Sequence, residues 1–275
     1  MIGRRIVEGV PEKLKKSALL LRLLAKERSE FIDRIAAILD VRSQWVHGKP
    51  PTYPSLTLEK GIEFLSRSLD RELKPILDDL EFQKFEERMC CAQKALPSDV
   101  PLGRFHIADT SLARIVYVLA RAMRPDRIVE TGVCYGVTSA YILQALFQNR
   151  SGHLHSIDLP PLGKEADSFV GCLVPEIGKH RWTLHRGSSR RLLPALLREL
   201  RNIEMFVHDS LHTLANMRHE FVTAWPFLRP GSVLVSDDVE GNSAFAELVE
   251  SPGVWCSVVL EGDRKKSLVG VLVKS

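Results

Sequence analysis

Acids close four short apolar runs in this sequence. Glu130 follows Ile128-Val129, Asp158 follows His155-Ser156-Ile157, Asp209 follows Phe206-Val207-His208, and Asp237-Asp238 follow Val233-Leu234-Val235-Ser236. Converging carboxylates repel one another and folding alone does not require them, so a ligand is expected to supply the compensating charge. Asp209, Asp237 and Asp238 offer the oxygen donors that Mg²⁺ or Ca²⁺ demands, and a cation held there would lower the barrier to deprotonating a hydroxyl. For each aspartate singly, a cap or turn role is the alternative. His208 and His212 flank Asp209. Strand alternation turns His208 toward the sheet, whereas His212 falls at the start of the next helix, where an imidazole can accept a hydroxyl proton near neutrality. Bonding to its own helix backbone is the bland alternative for His212.

The second chemical stretch is Glu130-Thr131-Gly132-Val133-Cys134-Tyr135-Gly136-Val137-Thr138. Its glycines mark a tight strand-to-helix turn that a polar ligand can approach closely, facing helix-start N–H groups. Glu130 is placed to accept hydrogen bonds from a cationic or hydroxyl-bearing ligand. The spacing is neither the G-x-G-x-x-G of a dinucleotide fold nor a phosphate loop ending in Lys-Ser/Thr. Asp158 lies 28 residues after Glu130 and ends the next strand, where a carboxylate can bind both ribose hydroxyls. A nicotinamide cofactor is the generic implication of such an acid. The missing phosphate motif, and Glu130 facing any pyrophosphate, point to a nucleoside without phosphate.

These residues need a sheet to place them. Strands are predicted at Arg127–Thr131, His153–Asp158, Trp182–Arg186, Ile203–Asp209 and Ser232–Asp237, separated by helices at Val137–Phe147, within Glu165–Ile177, at Ser189–Leu200 and at Leu214–Trp225. This alternation specifies an open α/β sheet with helices on both faces, whose chemistry gathers beyond the C-terminal strand ends. Trp255–Leu260 and Leu268–Lys274 are joined by too short a turn, Glu261–Lys266, for a crossover helix, so the last strand is expected to run antiparallel.

Upstream, residues 9 to 40 read as one or two amphipathic helices and His47–Pro54 as a break. Thr57 is expected to cap a helix burying Leu58, Ile62, Leu65 and Leu69, and another helix is expected over Ile76–Ala95. Asp109 or Thr110 is expected to cap the helix that Arg124-Pro125 ends. The chain divides on this reading into a helical extension, 1–108, acting as lid, specificity or dimerisation region, and a catalytic domain, 109–275. A homo-oligomer through the N-terminal helices is expected.

Composition narrows the classes. At 275 residues and 45% hydrophobic content the chain can build one sizeable core. No apolar run approaches the roughly 20 residues of a membrane span, and no secretory pattern opens the sequence. Five cysteines, with Cys90 and Cys91 adjacent and Cys134, Cys172 and Cys256 scattered, form neither a disulfide framework nor a metal clip and suit a reducing compartment, so a cytoplasmic location is expected. A net charge of +4 lacks the basic, aromatic-interleaved cluster of a nucleic-acid enzyme, so no nucleic-acid partner is expected.

From Arg124 to Phe245 the sequence resembles the class I S-adenosylmethionine-dependent methyltransferases, in particular the small-molecule O-methyltransferase branch that includes cephalosporin hydroxylase-like and sugar O-methyltransferase proteins. The marks are Val129-Glu130-Thr131-Gly132 with Gly136, Ser156-Ile157-Asp158-Leu159-Pro160, Gly171 with Val174-Pro175, Phe206–His212, Asn216-Met217 with Glu220, and Leu228-Arg229-Pro230-Gly231 before Ser236-Asp237-Asp238. The resemblance implies a Rossmann-like, doubly wound, seven-stranded, mostly parallel sheet with an antiparallel last strand. It implies that the methionine part of S-adenosyl-L-methionine lies near Glu130, Thr131, Gly132, Gly136 and Thr138, with Asp209 at the same edge. The ribose would lie on Asp158 beside Leu159, and the adenine beside Gly187, Ser188 and Ser189. In the metal-dependent catechol-type relatives, positions matched by Asp209, Asp237 and Asp238 bind a divalent cation, here expected to be Mg²⁺. Asp238 stands where asparagine is frequent, and no counterpart of those relatives' catalytic lysine appears between Ser210 and Thr213. His212 or the metal would then activate the acceptor, a sugar or other polyhydroxylated small molecule. A metal-independent methyltransferase using His212 or His208, and a non-catalytic ligand-binding or assembly subunit, are the alternatives.

Overall fold

The computed structural model describes residues 12–43, 51–98, 100–163, 165–263 and 266–275. Eight strands form one sheet: β1 (Ser55–Leu56), β2 (Arg127–Thr131), β3 (His153–Asp158), β4 (Trp182–Arg186), β5 (Ile203–His208), β6 (Leu228–Ser236), β7 (Val254–Glu261) and β8 (Leu268–Lys274). Their spatial order is β1-β7-β8-β6-β5-β2-β3-β4, with β8 antiparallel to both neighbours and every other pair parallel. The seven expected strands are all present. The eighth, β1, pairs Ser55 with Val259 and Leu56 with Leu260, and a two-residue run carries no periodicity from which to foresee it.

The central strands are apolar on both faces because helices cover both. Ile128, Leu154, Met205, Val207, Val233 and Val235 pack beneath α5 (Thr110–Met123) and α6 (Val137–Asn149). Val129, Ile157, Phe206 and Leu234 point the other way, toward α8 (Ser189–Leu200), α9 (Leu214–Ala224) and α10 (Ala244–Val249). This period-two alternation sends Glu130 to the α6 side.

Capping sets where the helices begin. Thr57 caps α3 (Leu58–Leu69), Asp79 caps α4 (Leu80–Ala95), and Asp109 caps α5 by accepting from the Ser111 N–H at 2.8 Å. α4 starts later than the expected Ile76, because Lys74–Ile76 forms a separate 3₁₀ turn and Asp79 is the residue that accepts from Glu81 and Phe82 N–H. The helix expected within Glu165–Ile177 is α7 (Ala166–Phe169), four residues long, with a 3₁₀ segment at Glu176–Arg181. α10 has no counterpart among the expected elements.

α1 (Glu12–Lys26) and α2 (Arg28–Ser43) form two helices within the expected 9–40 stretch. Positions 9–11, residues 47–50 of the break at 47–54, and Arg264-Lys265 of the final turn lie outside the described residues. Packing is continuous across residue 108. Phe82 stacks on Tyr117 with centroids 4.2 Å apart, Phe85 meets Tyr141 edge-on at 5.0 Å, and Ile62, Leu65, Leu73 and Met89 join the core of α5 and α6.

Candidate functional site

β2 delivers Glu130 and Thr131 to the sheet's C-terminal edge, and the chain then turns through Gly132–Gly136 into α6. Gly132 has φ 84°, and a Cβ there would stand 1.8 Å from the Asp209 carbonyl oxygen. Gly136 has φ 87°, and a Cβ would meet Gly171 Cα and Val174 Cγ2 at 2.8 Å. Both glycines therefore answer to protein packing as well as to the turn. The Gly132 N–H donates to the Ile157 carbonyl at 2.9 Å, fastening the loop to β3.

Asp158, at the end of β3, is half-buried and bound into this loop. Its Oδ2 accepts from the N–H groups of Val133 at 2.6 Å and Cys134 at 3.0 Å. Burial raises its pKa, and the two N–H bonds oppose the rise. Leu159, also half-buried, follows. On the next strand end, Gly187 N–H donates to the Asp158 carbonyl at 2.8 Å, Ser188 caps α8, and Ser189 opens it. Asp158, Leu159 and Gly187–Ser189 thus gather on one side of the crevice.

Glu130 lies in a closed setting. Its side chain is wholly buried under α6, and Oε2 accepts from Ser139 Oγ and Ser156 Oγ, each at 2.6 Å. Trp182 Nε1 donates to the same Ser156 hydroxyl at 2.9 Å. Burial pushes the Glu130 pKa up to about 7 against those two hydroxyl bonds. The carboxylate ties β2 to α6 and β3 through those serines, and its Oε1 is buried with no hydrogen-bond partner among the described residues. Thr131 is likewise buried and donates from Oγ1 to Glu220.

Glu220, on α9, is the centre of a network that the strand-end acids did not disclose. Besides Thr131 it accepts from His208 Nδ1 at 2.6 Å, Ser210 Oγ at 2.7 Å and Asn216 Nδ2 at 2.9 Å. Four donors hold it as a carboxylate although burial opposes the charge. His208 is wholly buried, which lowers its pKa, so it supports the floor of the site and does not reach the crevice. Glu220 lies four residues after Asn216, one helical turn, and that spacing was the available signal.

At the β5 and β6 ends, Asp209, His212 and Asp237 each bring one ligand atom to within 4.8 Å of the others. Thr138 Oγ1 lies 3.4 Å from Asp209 Oδ2, linking this cluster to the first turn of α6. Asp238 is not one of the three. Its backbone takes the left-handed conformation, φ 50°, which directs Oδ2 to His212 Nδ1 at 2.7 Å. Burial alone would lower the His212 pKa, but the Asp238 hydrogen bond and the charges of Asp238, Asp237 and Glu220 raise it overall. Of the expected Asp209, Asp237 and Asp238, the structure groups the first two with His212 and puts Asp238 behind the imidazole.

A cavity of about 420 Å³ lies off this crevice, among α4, α5, α6 and the β7–β8 turn. Glu86, Arg114, Tyr141, Thr110, Val137 and Asp263 contribute to its lining, and Val137 is the first residue of α6.

Residues 129–239 match the family profile described as a methyltransferase domain. No curated protein matches the sequence. Among solved structures the fold is similar to an O-methyltransferase from Bacillus cereus in complex with SAH, at 16% identity and TM-score 0.51, over 79% of this chain and 100% of that one. It is similar to the O-methyltransferase TomG from Streptomyces achromogenes, involved in tomaymycin synthesis and solved with SAM, at 21% identity and TM-score 0.51, over 78% and 96%. It is also similar to the SAH-bound methyltransferase PaMTH1 from Podospora anserina, at 12% identity and TM-score 0.54, over 83% and 100%.

Proposed function

We propose that this chain, whose residues 129–239 match a methyltransferase-domain profile, is a cytoplasmic class I S-adenosylmethionine-dependent O-methyltransferase for a small hydroxylated molecule, a sugar or another polyhydroxylated metabolite, with help from a divalent cation. The observation that carries the reading is Asp158 Oδ2 on the Val133 and Cys134 N–H groups. In a dinucleotide site such loop N–H groups face a phosphate. Here a carboxylate occupies them, which suits a cationic nucleoside and opposes a pyrophosphate.

S-adenosylmethionine supplies an electrophilic methyl on a sulfonium. Asp158 would hold the ribose, with Leu159 and Gly187–Ser189 beside the adenine and the 132–136 loop and Thr138 at the methionine end. Glu130, buried beneath α6, would hold β2 against α6 and β3 through Ser139 and Ser156. Asp209, His212 and Asp237 would hold the cation: a set of ligand atoms within 4.8 Å suits donors that stand about 2.0–2.6 Å from one ion. When bound, a cation lowers the barrier to deprotonating the acceptor hydroxyl. The imidazole moves the preference from Mg²⁺, which favours oxygen donors, toward Mn²⁺, Fe²⁺ or Zn²⁺. Asp238 would orient His212 as the outer carboxylate of a carboxylate–histidine–metal arrangement. The 420 Å³ cavity beside Val137 is of the size that takes a small acceptor.

The His212–Asp238 pair also favours a second reading, without metal. An imidazole oriented by a carboxylate at 2.7 Å can itself take the acceptor proton while the oxygen attacks the methyl. The exposed apolar residues Leu21, Leu24, Ile32 and Leu39 support pairing of two copies through α1 and α2.

Calorimetry tests the donor with S-adenosylmethionine, S-adenosylhomocysteine and NADH. Binding of the first two alone is expected, and binding of NADH alone would overturn the reading. Turnover that persists after complete chelation would remove the metal and leave His212 as the base.

A further inference from the structure

α2 is held to the rest of the protein by charge. Among its described residues the one buried side chain belongs to an acid, Glu30, 4% exposed, while Ile32 is 64% exposed and Leu39 57%. Glu30 accepts from Arg34 at 2.6 Å and from Arg186 Nη1 at 2.5 Å, and Arg186 also pairs with Asp167. Arg34 continues to the Pro160 carbonyl at 2.8 Å. Farther along α2, Asp33 pairs with Arg191 at 2.9 Å and Asp40 with Arg190 at 2.7 Å.

The anchoring points fall together. Pro160 is two residues past Asp158, Arg186 stands opposite Asp158 in the parallel β3–β4 register, and Arg190 and Arg191 follow Ser188 and Ser189 at the start of α8. Pro160 lies in the loop after β3, Arg186 ends β4, and Arg190 and Arg191 are in the first turn of α8, so the partners of α2 flank the segments assigned to the ribose and adenine. We propose that α2 is a detachable roof over the nucleoside end of the donor site and that Arg186, through Glu30, is the positioning residue that seats it. This rests on the donor reading given above. Arg186, Arg190 and Arg191 are each more than 40% exposed, so water and salt compete for their pairs, and the roof can release without disturbing the hydrophobic core.

The test uses the full chain and S-adenosylhomocysteine, with dissociation followed by stopped-flow and hydrogen exchange followed across 28–43. Wild type is expected to release the ligand several-fold faster at 1 M NaCl than at 0.05 M, and α2 amides to gain protection on binding. Arg186→Gln should raise the release rate about tenfold and abolish both the salt effect and the added protection. If that variant fails to fold, the surface pair Arg190→Gln/Arg191→Gln is measured instead, with a smaller acceleration of the same kind expected. A merely structural role would lower thermal stability and leave the salt dependence of release intact; that result would overturn the proposal, as would α2 exchange indifferent to ligand. No binding by wild type would overturn the donor reading and the roof together, whereas binding with variants releasing at the wild-type rate overturns the roof alone.

Discussion

His212 Nδ1 stands 2.7 Å from Asp238 Oδ2, and on the far side of the same ring Nε2 looks toward Asp209 Oδ1 at 3.8 Å. One imidazole therefore has an orienting carboxylate behind it and an acidic cluster before it. As a metal ligand it would present Nε2; as a base it would use the same nitrogen. The two roles are exclusive, which makes them separable.

Replacing Asp238 with Asn removes the charge behind His212 and leaves the three proposed ligand residues in place. Mn²⁺ affinity, measured by calorimetry, should fall 10- to 100-fold, the usual cost of losing an outer partner of a ligating histidine. Unchanged affinity would place the cation elsewhere or nowhere.

Asp158→Asn should weaken S-adenosylhomocysteine binding by about 1.5–3 kcal/mol, roughly 10- to 100-fold, through loss of a charge-assisted bond. Tm without ligand should fall by no more than a few degrees, because Asn Oδ1 can still accept from the Val133 and Cys134 N–H groups. Equal affinity in the variant would remove the carboxylate from the ribose.

Glu130 makes stability depend on pH. Its folded pKa, about 7, lies above the ordinary 4.5, so the folded state binds a proton more tightly than the unfolded state. The associated stability is fully present below pH 4.5 and is lost as pH rises through 7, about 3 kcal/mol in all. Urea unfolding of Glu130→Gln should show a flatter profile over this window than wild type. Parallel profiles would mean that Glu130 stays ionised.

Gly132→Ala forces a Cβ into the Asp209 carbonyl at a positive φ. Strain of this kind costs about 1–3 kcal/mol, and the clash adds to it. A lower Tm together with weakened Mn²⁺ binding is expected, because the loop can yield only by moving Asp209. Normal metal affinity in a destabilised protein would show the loop and the cluster to be independent.

Glu220→Gln leaves the Thr131, Ser210, Asn216 and His208 donors around a neutral amide. A loss of about 1.5–3 kcal/mol in chemical denaturation is expected, from the loss of buried hydrogen bonds to a charged group. A near-neutral result would mean that the network is held by packing.

The strand ends were legible because four of the strands are short apolar runs closed by an acid, and the antiparallel last strand was legible from the short turn of the final hairpin. Asp209 and Asp237 reached one cluster as their strand ends required. Asp238 diverged because its left-handed backbone, invisible in composition, turns the carboxylate toward His212. Glu130 was placed at the right edge, yet alternation along β2 sent it under α6, where Ser139 and Ser156, from a helix and another strand, close around it. The ties of α2 were illegible for a different reason: Glu30 and Arg186 meet only after the intervening chain has folded, and single charges carry no periodic signal.

The pairing of Ser55 with Val259 and of Leu56 with Leu260 joins an early segment of the polypeptide to one of its last strands. During synthesis that edge cannot be completed until β7 and β8 have cleared the ribosome. The β1–β7 contact is non-local, and contacts of this kind slow the folding step that forms them.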